Sequence, residues 1–175
     1  MLSTLLASLF LVGTCLAQTP EDWPTADQAD VESVDAIMAA VYDVISGPAG
    51  PRDWDRFRSL FQPDGQLIPI GSSPAGTLPR FLSPGEYAEL GAQMFSTRGF
   101  FEKEIHRVQE QYGPLVHLFS TYESHDTAES TEPFARGINS FQLVNDGSRW
   151  WVVNIFWQSE TPALPIPAKY LPSQN

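Results

Sequence analysis

Residues 134–158 read FARGINSFQLVNDGSRWWVVNIFWQ, and this stretch decides the fold. Apolar residues alternate on both sides of Asp146-Gly147, a pair that tolerates the positive φ angles of a two-residue hairpin loop. That loop predicts Asn139 opposite Asn154. Both faces of the hairpin are largely apolar. We therefore expect one face to pack on helices and the other to be covered by a second copy of the chain, as a homodimer.

Asn139 and Asn154 put two amides on an otherwise apolar face of this hairpin. A polar group in an apolar setting has to be hydrogen-bonded. The two amides therefore either satisfy each other in the core or line a ligand cavity as polar anchors.

Three further strands are predicted because hydrophobic residues recur with a period near two from Phe100 onward. In chain order, the four strands are predicted over residues 100–111, 115–124, 134–144 and 149–158. A shorter apolar piece, residues 67–70, contains Pro69, which predicts an edge position or a bulge.

The first hairpin of this sheet has two candidate loop lengths. A two-residue loop puts Glu104 opposite Glu123, and like charges directly opposite each other destabilise a sheet. We therefore predict a three-residue loop, which pairs Glu104 with Tyr122 and places His106 on the same face. A carboxylate can orient an imidazole for proton transfer, so Glu104 and His106 are the candidate catalytic pair. The alternative is that Glu102, Glu104 and Glu110, which share this face, are solvent-facing charges.

Three helices are predicted before the long strands. Hydrophobic residues at three- and four-residue spacing indicate a first helix over residues 31–45, capped by Asp30. Asp53 is the expected cap of a second helix, which Pro63 ends. Ser83 begins the third helix through a capping box with Glu86. The expected buried stripe of this third helix consists of Tyr87, Leu90, Gly91, Met94 and Phe95.

The two ends of the chain differ in composition from its middle. Residues 1–17 are apolar and end in small residues, which indicates a removable secretory signal and a secreted or periplasmic protein. A lipoprotein acylated at Cys15 is the alternative. Residues 18–29 are predicted to be a flexible leader. Residues 161–175 are predicted to be a proline-rich tail that runs extended over the surface.

Charge and cysteine content exclude several classes of function. The formal net charge of −11 repels nucleic acid and anionic lipid, so we expect no nucleic-acid partner and no membrane contact of the mature form. The single cysteine lies in the signal, which excludes thiol chemistry in the mature chain. Three scattered histidines lack the spacing of a metal site, so we expect no metal and no other cofactor.

Three helices followed by a strongly bent antiparallel sheet resemble the nuclear transport factor 2-like superfamily, in particular its SnoaL-like members. The residues that carry this resemblance are Trp54–Phe61 with Pro63-Asp64, Phe119–Glu123 and Arg149–Asn154. It spans about residues 31–160, within a domain assigned to residues 30–160.

The resemblance implies an α+β fold: a cone-shaped barrel with three N-terminal helices packed on a mainly antiparallel sheet of four to six strands. It also implies an apolar pocket between the sheet and the long helix, and frequent dimerisation through the outer sheet face. Isomerases and cyclases of this superfamily pair an aspartate base with a tyrosine or a second acid. Tyr42 and Asp43 are expected at the pocket rim rather than in that role.

Three functions follow as hypotheses. The first is binding of a small apolar or aromatic molecule. The second is a cofactor-free isomerase, cyclase or dehydratase that uses His106 with Glu104. The third is a dimeric protein-interaction module. The candidate ligand-binding residues are Tyr87, Tyr122, Asn139, Trp150, Asn154 and Phe156.

Overall fold

Helices cover one face of a six-stranded sheet in the computed structural model, which describes residues 22–73 and 76–173. The predicted α+β class is confirmed. The helices are α1 (Gln28–Val31), α2 (Val34–Ile45), α3 (Trp54–Ser59) and α4 (Pro84–Phe95). The strands are β1 (Phe61–Ser73), β2 (Gly76–Pro79), β3 (Phe101–Tyr112), β4 (Leu115–His125), β5 (Ala135–Asn145) and β6 (Trp150–Ser159).

The sheet is mixed, with the order β2-β1-β6-β5-β4-β3. All its neighbours are antiparallel except β1 and β6, which run parallel. The four long strands predicted from the sequence start and end within one residue of the observed strands β3 to β6. The face that α2 and α4 cover is called the inner face below, and the opposite face is called the outer face.

The predicted first helix is interrupted, and its predicted cap was wrong. Ser33 caps α2, since its side chain accepts a hydrogen bond from the amide of Ala36 at 3.0 Å. Asp30 does not cap a helix because its carboxylate receives two hydrogen bonds from Arg56, at 2.8 and 3.0 Å. The cap of α1 is Asp27. The short helix α1 therefore begins inside the segment that was predicted to be a flexible leader.

The leader also contacts the fold at Trp23, whose indole Nε1 donates a hydrogen bond to the carbonyl of Phe61 at 3.1 Å. The predicted signal, residues 1–17, and the candidate acylation site Cys15 lie outside the described residues. Within residues 22–73 and 76–173, no helix is long and apolar enough to cross a membrane.

Strand β1 lies inside the sheet, between β2 and β6, and not at its edge. Pro69 lacks an amide donor, so its pairing beyond the end of β2 is one-sided: its carbonyl accepts a hydrogen bond from the amide of Arg80 at 3.0 Å. The second predicted helix ends at Ser59, before Pro63 is reached, and Pro63 lies within β1 where its register with β6 shifts.

Two β-bulges change the predicted registers of the long hairpins. In the first hairpin, Tyr112 pairs with Leu115, so the loop has two residues and not three. The register then shifts between Glu104 and His106, which restores Glu104 opposite Tyr122. The bulge thereby avoids the pairing of two glutamates that a two-residue loop otherwise produces.

The second bulge lies in the β5–β6 pair, whose loop is also longer than predicted. Asn145 pairs with Trp150, which makes a four-residue connection in place of the predicted two-residue loop. A further shift at Gln142 sets this residue opposite Asn154. Asn139 consequently pairs with Trp157, so the predicted pairing of Asn139 with Asn154 was wrong.

Helix α4 has the predicted capping box between Ser83 and Glu86. Its buried face is displaced from the predicted stripe, because Leu90 and Met94 are exposed while Ala88 is buried. Gly91 and Phe95 lie in the stripe as predicted, and both contact Trp54. As a result, Met94 is exposed and lines a cavity between the helices and the sheet.

The C-terminal residues 160–171, called the strap below, run over the outer face of the sheet. Among the described residues the strap adds no strand to the sheet and contains one short 3-10 helix, Ala168–Tyr170. The ring of Tyr170 contacts that of Phe119 on β4, with centroids 5.4 Å apart. This strap covers part of the face where a second copy of the chain was expected. The homodimer stays a prediction.

Candidate functional site

A cavity of about 250 Å³ lies between the inner face of the sheet and helices α2 and α4. It is called the inner cavity. Its walls are mostly hydrophobic and come from both layers, for example Val41 and Ile45 on α2 and Ile155 on β6. A small group of polar side chains shares the lining, namely Glu102, Tyr42, Tyr87, Tyr122, Ser124, Asn139 and Ser159. An apolar cavity with a few convergent polar groups is typical of a small-molecule site.

Glu102 is the acidic residue of this cavity. It lies near the start of β3, on the inner face and opposite Ser124, whose Oγ donates a hydrogen bond to its Oε2 at 2.7 Å. Burial raises the pKa of the Glu102 carboxyl to about 7, although hydrogen bonds from Ser124 and Asn139 favour the charged form. Near neutral pH both protonation states are populated, so the carboxyl can either give or take a proton.

Three phenols line the cavity with Glu102, and two of them, Tyr87 and Tyr122, lie outside the hydrogen-bond chain of Tyr42. Burial raises the pKa of both Tyr87 and Tyr122, and the negative charge of Glu102 raises them further. Both side chains therefore stay protonated at neutral pH and can donate hydrogen bonds. The hydroxyl of Tyr122 is hydrogen-bonded with Ser159 at 3.2 Å, whereas that of Tyr87 makes no hydrogen bond within the part of the chain that the structure describes.

Aromatic contacts hold the ring of Tyr87 in place. It stacks on Phe57 of α3 with centroids 5.2 Å apart and meets Trp157 of β6 edge-on at 6.2 Å. The phenol thus has a defined position but an unused hydroxyl. This combination leaves a donor available to a bound molecule.

A buried hydrogen-bond chain supports the floor of the cavity. The amide Nδ2 of Asn139 donates to the hydroxyl of Tyr42 at 3.0 Å, and that hydroxyl is 2.7 Å from Oγ of Ser120. Ser120 in turn donates to Glu104, and the other oxygen of Glu104 accepts from Arg107. Asn139 is therefore satisfied by Tyr42 rather than by Asn154, and it remains part of the cavity lining.

Tyr42 itself was expected at the pocket rim, and that expectation was wrong. Its side chain is 6% exposed and its ring contacts Phe141, with centroids 6.2 Å apart. Burial raises the pKa of its phenol, so it stays protonated. Asp43, by contrast, is exposed and forms an ion pair with Arg56.

The structure brings together three of the six predicted ligand-binding residues. Tyr87, Tyr122 and Asn139 all line the inner cavity. Trp150 is buried in the core at the far end of β6 and does not reach it. Asn154 and Phe156 lie on the outer face. The bulge in the β5–β6 pair falls between Val152 and Asn154, so the residues of β6 that follow it have the opposite alternation to those before it.

The candidate catalytic pair of Glu104 and His106 is separated. The bulge between them leaves Glu104 on the inner face, bonded to Ser120, while His106 pairs with Thr121. The hydroxyl of Thr121 points to the outer face, where it donates to the carbonyl of Tyr170. The two residues therefore cannot act on one ligand, and His106 does not line the inner cavity.

Glu102 is the residue that the sequence reasoning missed. The predicted register already placed it opposite Ser124, on the same face as Tyr122, and the structure has the same pairing. On the sequence alone it belongs with Glu104 and Glu110 to the glutamates for which solvent exposure is the alternative, and it is not among the candidate site residues. One sequence signal could have identified it. Glu102, Ser124 and Tyr122 share a face of the predicted sheet, and the residues of β5 on that face are mostly apolar, which indicates that the face is buried.

Among residues 22–73 and 76–173, no three His, Cys, Asp or Glu side chains are grouped so that they could hold a metal ion. The polar groups of the inner cavity are one carboxyl, phenols, hydroxyls and an amide. This set is suited to hydrogen bonding and proton transfer.

No protein-family model matches the chain, and no curated protein matches it. Solved structures do. A protein of unknown function with a cystatin-like fold from Nostoc punctiforme has a TM-score of 0.56 at 13% identity, over 75% of this chain and 91% of that one. An NTF-2 like protein of unknown function from Silicibacter pomeroyi has a TM-score of 0.51 at 12% identity, over 74% and 94%.

A third similar structure is a candidate ketosteroid isomerase from Parabacteroides distasonis. Its TM-score is 0.50 at 12% identity, over 75% of this chain and 92% of that one. Together these matches show the fold: the chain has the nuclear transport factor 2-like, or cystatin-like, architecture. The resemblance inferred from the sequence is confirmed at the level of the fold.

Proposed function

We propose that this chain, with its nuclear transport factor 2-like fold, binds a small and largely apolar molecule in the inner cavity. The observation that carries the proposal is the convergence of Glu102, Tyr87 and Tyr122 on a hydrophobic cavity of about 250 Å³. Apolar walls supply the driving force for binding, and a few fixed polar groups orient the ligand.

The free hydroxyl of Tyr87 indicates which polar group the ligand carries. A phenol that stays protonated donates a hydrogen bond, and its natural acceptor is a carbonyl or hydroxyl oxygen. Glu102 lies close enough to Tyr87 for its charge to raise the pKa of that phenol. A neutral cyclic or aromatic ketone, or a phenol, fits both groups.

A second candidate function is proton transfer to and from such a ligand. It is favoured by the Glu102 carboxyl, whose raised pKa of about 7 suits a general acid or base at neutral pH. With the ligand carbonyl held by Tyr87, the carboxylate of Glu102 can take a proton from the adjacent carbon and return it elsewhere. This is the chemistry of a cofactor-free isomerase, cyclase or dehydratase, and a structural neighbour is a candidate ketosteroid isomerase.

Binding is tested by thermal shift with a panel of neutral cyclic ketones and phenols. A ligand at one hundred times its dissociation constant stabilises the protein by about 2.7 kcal/mol. Ala135 lines the inner cavity, so Ala135→Phe fills it and should remove the shift. Leu115→Phe, at an exposed position by the first hairpin loop, is the matched control and should keep it. Equal shifts in both variants would rule out the inner cavity as the site.

Proton transfer is tested by NMR, as exchange of the ligand's α-hydrogens with deuterated water. The wild type should accelerate exchange of a bound cyclic ketone, and Glu102→Gln should abolish the acceleration while binding persists. Unchanged exchange in Glu102→Gln would leave binding as the function and reject the catalytic candidate.

Export is proposed on the sequence of residues 1–17 alone. Expression of the full chain in a secreting host, followed by mass determination of the product, tests it. A mature protein that starts at Gln18 supports export, and a product that retains residues 1–17 in the cytoplasm contradicts it.

A further inference from the structure

A second cavity, of about 330 Å³, lies on the opposite side of the sheet. It is called the outer cavity. Its floor is the outer face of the sheet, represented by Ile138, Ser140 and Phe156. Its cover is the strap, represented by Leu164 and Ile166. The sheet lies between this space and the inner cavity, and Trp157 and Ser159 of β6 contribute to the lining of both. Neither ligand binding nor proton transfer at the inner cavity uses the outer space.

The strap is anchored on both sides of the outer cavity. At one end Glu160 accepts hydrogen bonds from the Nε of Arg136 at 2.8 Å and from the amide of Ile166 at 2.9 Å. At the other end the carbonyl of Tyr170 accepts from Thr121 at 2.6 Å. Between these anchors the strap lies over the sheet, with the outer cavity beneath it. The space is therefore bounded by the sheet on one side and by the strap on the other.

The chemistry of the walls restricts the occupant. Aliphatic, aromatic and proline side chains form most of the lining. Glu160 is the one ionisable carboxylate or base among the described lining residues, and it is already paired with Arg136. A charged ligand finds no free partner there, and burying an unpaired charge is costly. The occupant is therefore neutral.

The lining includes a few polar side chains, among them Ser140, Gln158 and Tyr170. The Oγ of Ser140 is 3.2 Å from Nε2 of His117, which fixes the position of the hydroxyl. It can form a hydrogen bond with one ligand oxygen while the rest of the ligand contacts Ile138, Phe156 and Leu164. A cavity of this volume holds a small molecule but not a strand of another protein, and the anchored strap blocks direct sheet-on-sheet packing above it.

We propose that the outer cavity is a second small-molecule site, which takes a neutral and largely apolar ligand. The strap forms its wall, and binding there does not depend on the inner cavity. The protein accordingly has one ligand site on each face of its sheet.

Methyl NMR spectra of the isotope-labelled mature protein test this without any substitution. The probe is N-phenyl-naphthylamine, a neutral dye whose fluorescence rises in apolar surroundings. The proposal expects shifts at the methyl groups of Ile138 and Leu164. Shifts confined to Val41 and Ile45 of the inner cavity, or no shifts at all, would overturn it.

A cavity-filling variant gives an independent measurement. Ser140→Phe places a ring in the outer cavity. The ring occupies the space that the dye needs, so the dye loses its contacts with the walls and should bind this site at least about tenfold more weakly. Leu115→Phe, which lies outside both cavities, should leave the affinity unchanged. Circular dichroism melts show that each variant is folded before titration. An unaltered titration in folded Ser140→Phe would reject the outer site.

Discussion

The hydroxyl of Ser124 donates a hydrogen bond to Oε2 of Glu102 at 2.7 Å, across the first two strands of the long antiparallel part of the sheet. Despite this bond the pKa of Glu102 is raised to about 7, since the loss of hydration on burial outweighs hydrogen bonding to the carboxylate. The carboxyl lies in an apolar cavity without a cationic partner among the described residues. Glu102 is therefore the group of the inner cavity that can exchange a proton near neutral pH, and its raised pKa can be measured.

The raised pKa of Glu102 should make the free energy of unfolding depend on pH. In the folded state the carboxyl has a pKa of about 7, against an ordinary value of 4.5, so the folded protein holds this proton more tightly than the unfolded chain does. Stability should therefore fall as pH rises from about 4.5 to about 7, by about 3 kcal/mol from this one group. Urea unfolding of Glu102→Gln should lack this decline.

The control for that experiment is Glu110→Gln, a neutralisation on the exposed end of the same strand. It should retain the slope of the wild type. Identical slopes in wild type, Glu102→Gln and Glu110→Gln would show that Glu102 is not buried as a perturbed acid.

The buried hydroxyl of Tyr42 should contribute to stability. Tyr42→Phe keeps the ring packed against Phe141 but removes the hydroxyl that accepts from Asn139 and lies 2.7 Å from Ser120. Leaving these buried groups without their partner should cost about 1–3 kcal/mol in the free energy of unfolding. Denaturant titration measures it. Tyr112→Phe, at a position that is 88% exposed, should change stability little.

Gly137 is a position where the sheet leaves no room for a side chain. A Cβ there would lie 2.5 Å from the backbone oxygen of Gln158 and 2.6 Å from the hydroxyl of Tyr122. Gly137→Ala should therefore destabilise the protein by about 1–3 kcal/mol or more, and it should displace Tyr122 from the inner cavity. Thermal melts and ligand titration measure the two effects.

The matched control is Gly85→Ala in the first turn of α4. Its Cβ would meet nothing closer than the hydroxyl of Ser83 at 3.9 Å, so alanine should be neutral or slightly stabilising there. A melting temperature that is equal in the two alanine variants would contradict the close contact at Gly137.

His106 should not take part in ligand binding at the inner cavity. It lies beyond the bulge, paired with Thr121, whereas Glu102 and Tyr122 lie before it on the inner face. His106→Ala should therefore leave the affinity for an inner-cavity ligand unchanged in calorimetric titration. A tenfold or greater loss, about 1.4 kcal/mol, would instead restore the sequence-based role of this histidine.

Local features of the fold were predictable because their causes are local. The cap Asp53 and the capping box of Ser83 with Glu86 depend on residues within one helical turn. The four long strands were located to within one residue because a period of two is imposed by the pleat itself. The α+β class and the nuclear transport factor 2-like fold follow from the order of these elements.

The caps of α3 and α4, the bounds of β3 to β6 and the fold class were thus determined by the sequence itself, through short-range hydrogen bonding and hydrophobic periodicity. Only the tertiary structure decided which face each side chain of β3 and β6 occupies. One extra residue in a strand reverses every later side chain, and each of the two bulges lies within a hairpin, at a position that the loop sequence does not specify. For this reason His106, Asn154 and Phe156 lie outside the inner cavity and Glu102 lies within it, where burial by α2 and α4 raises its pKa.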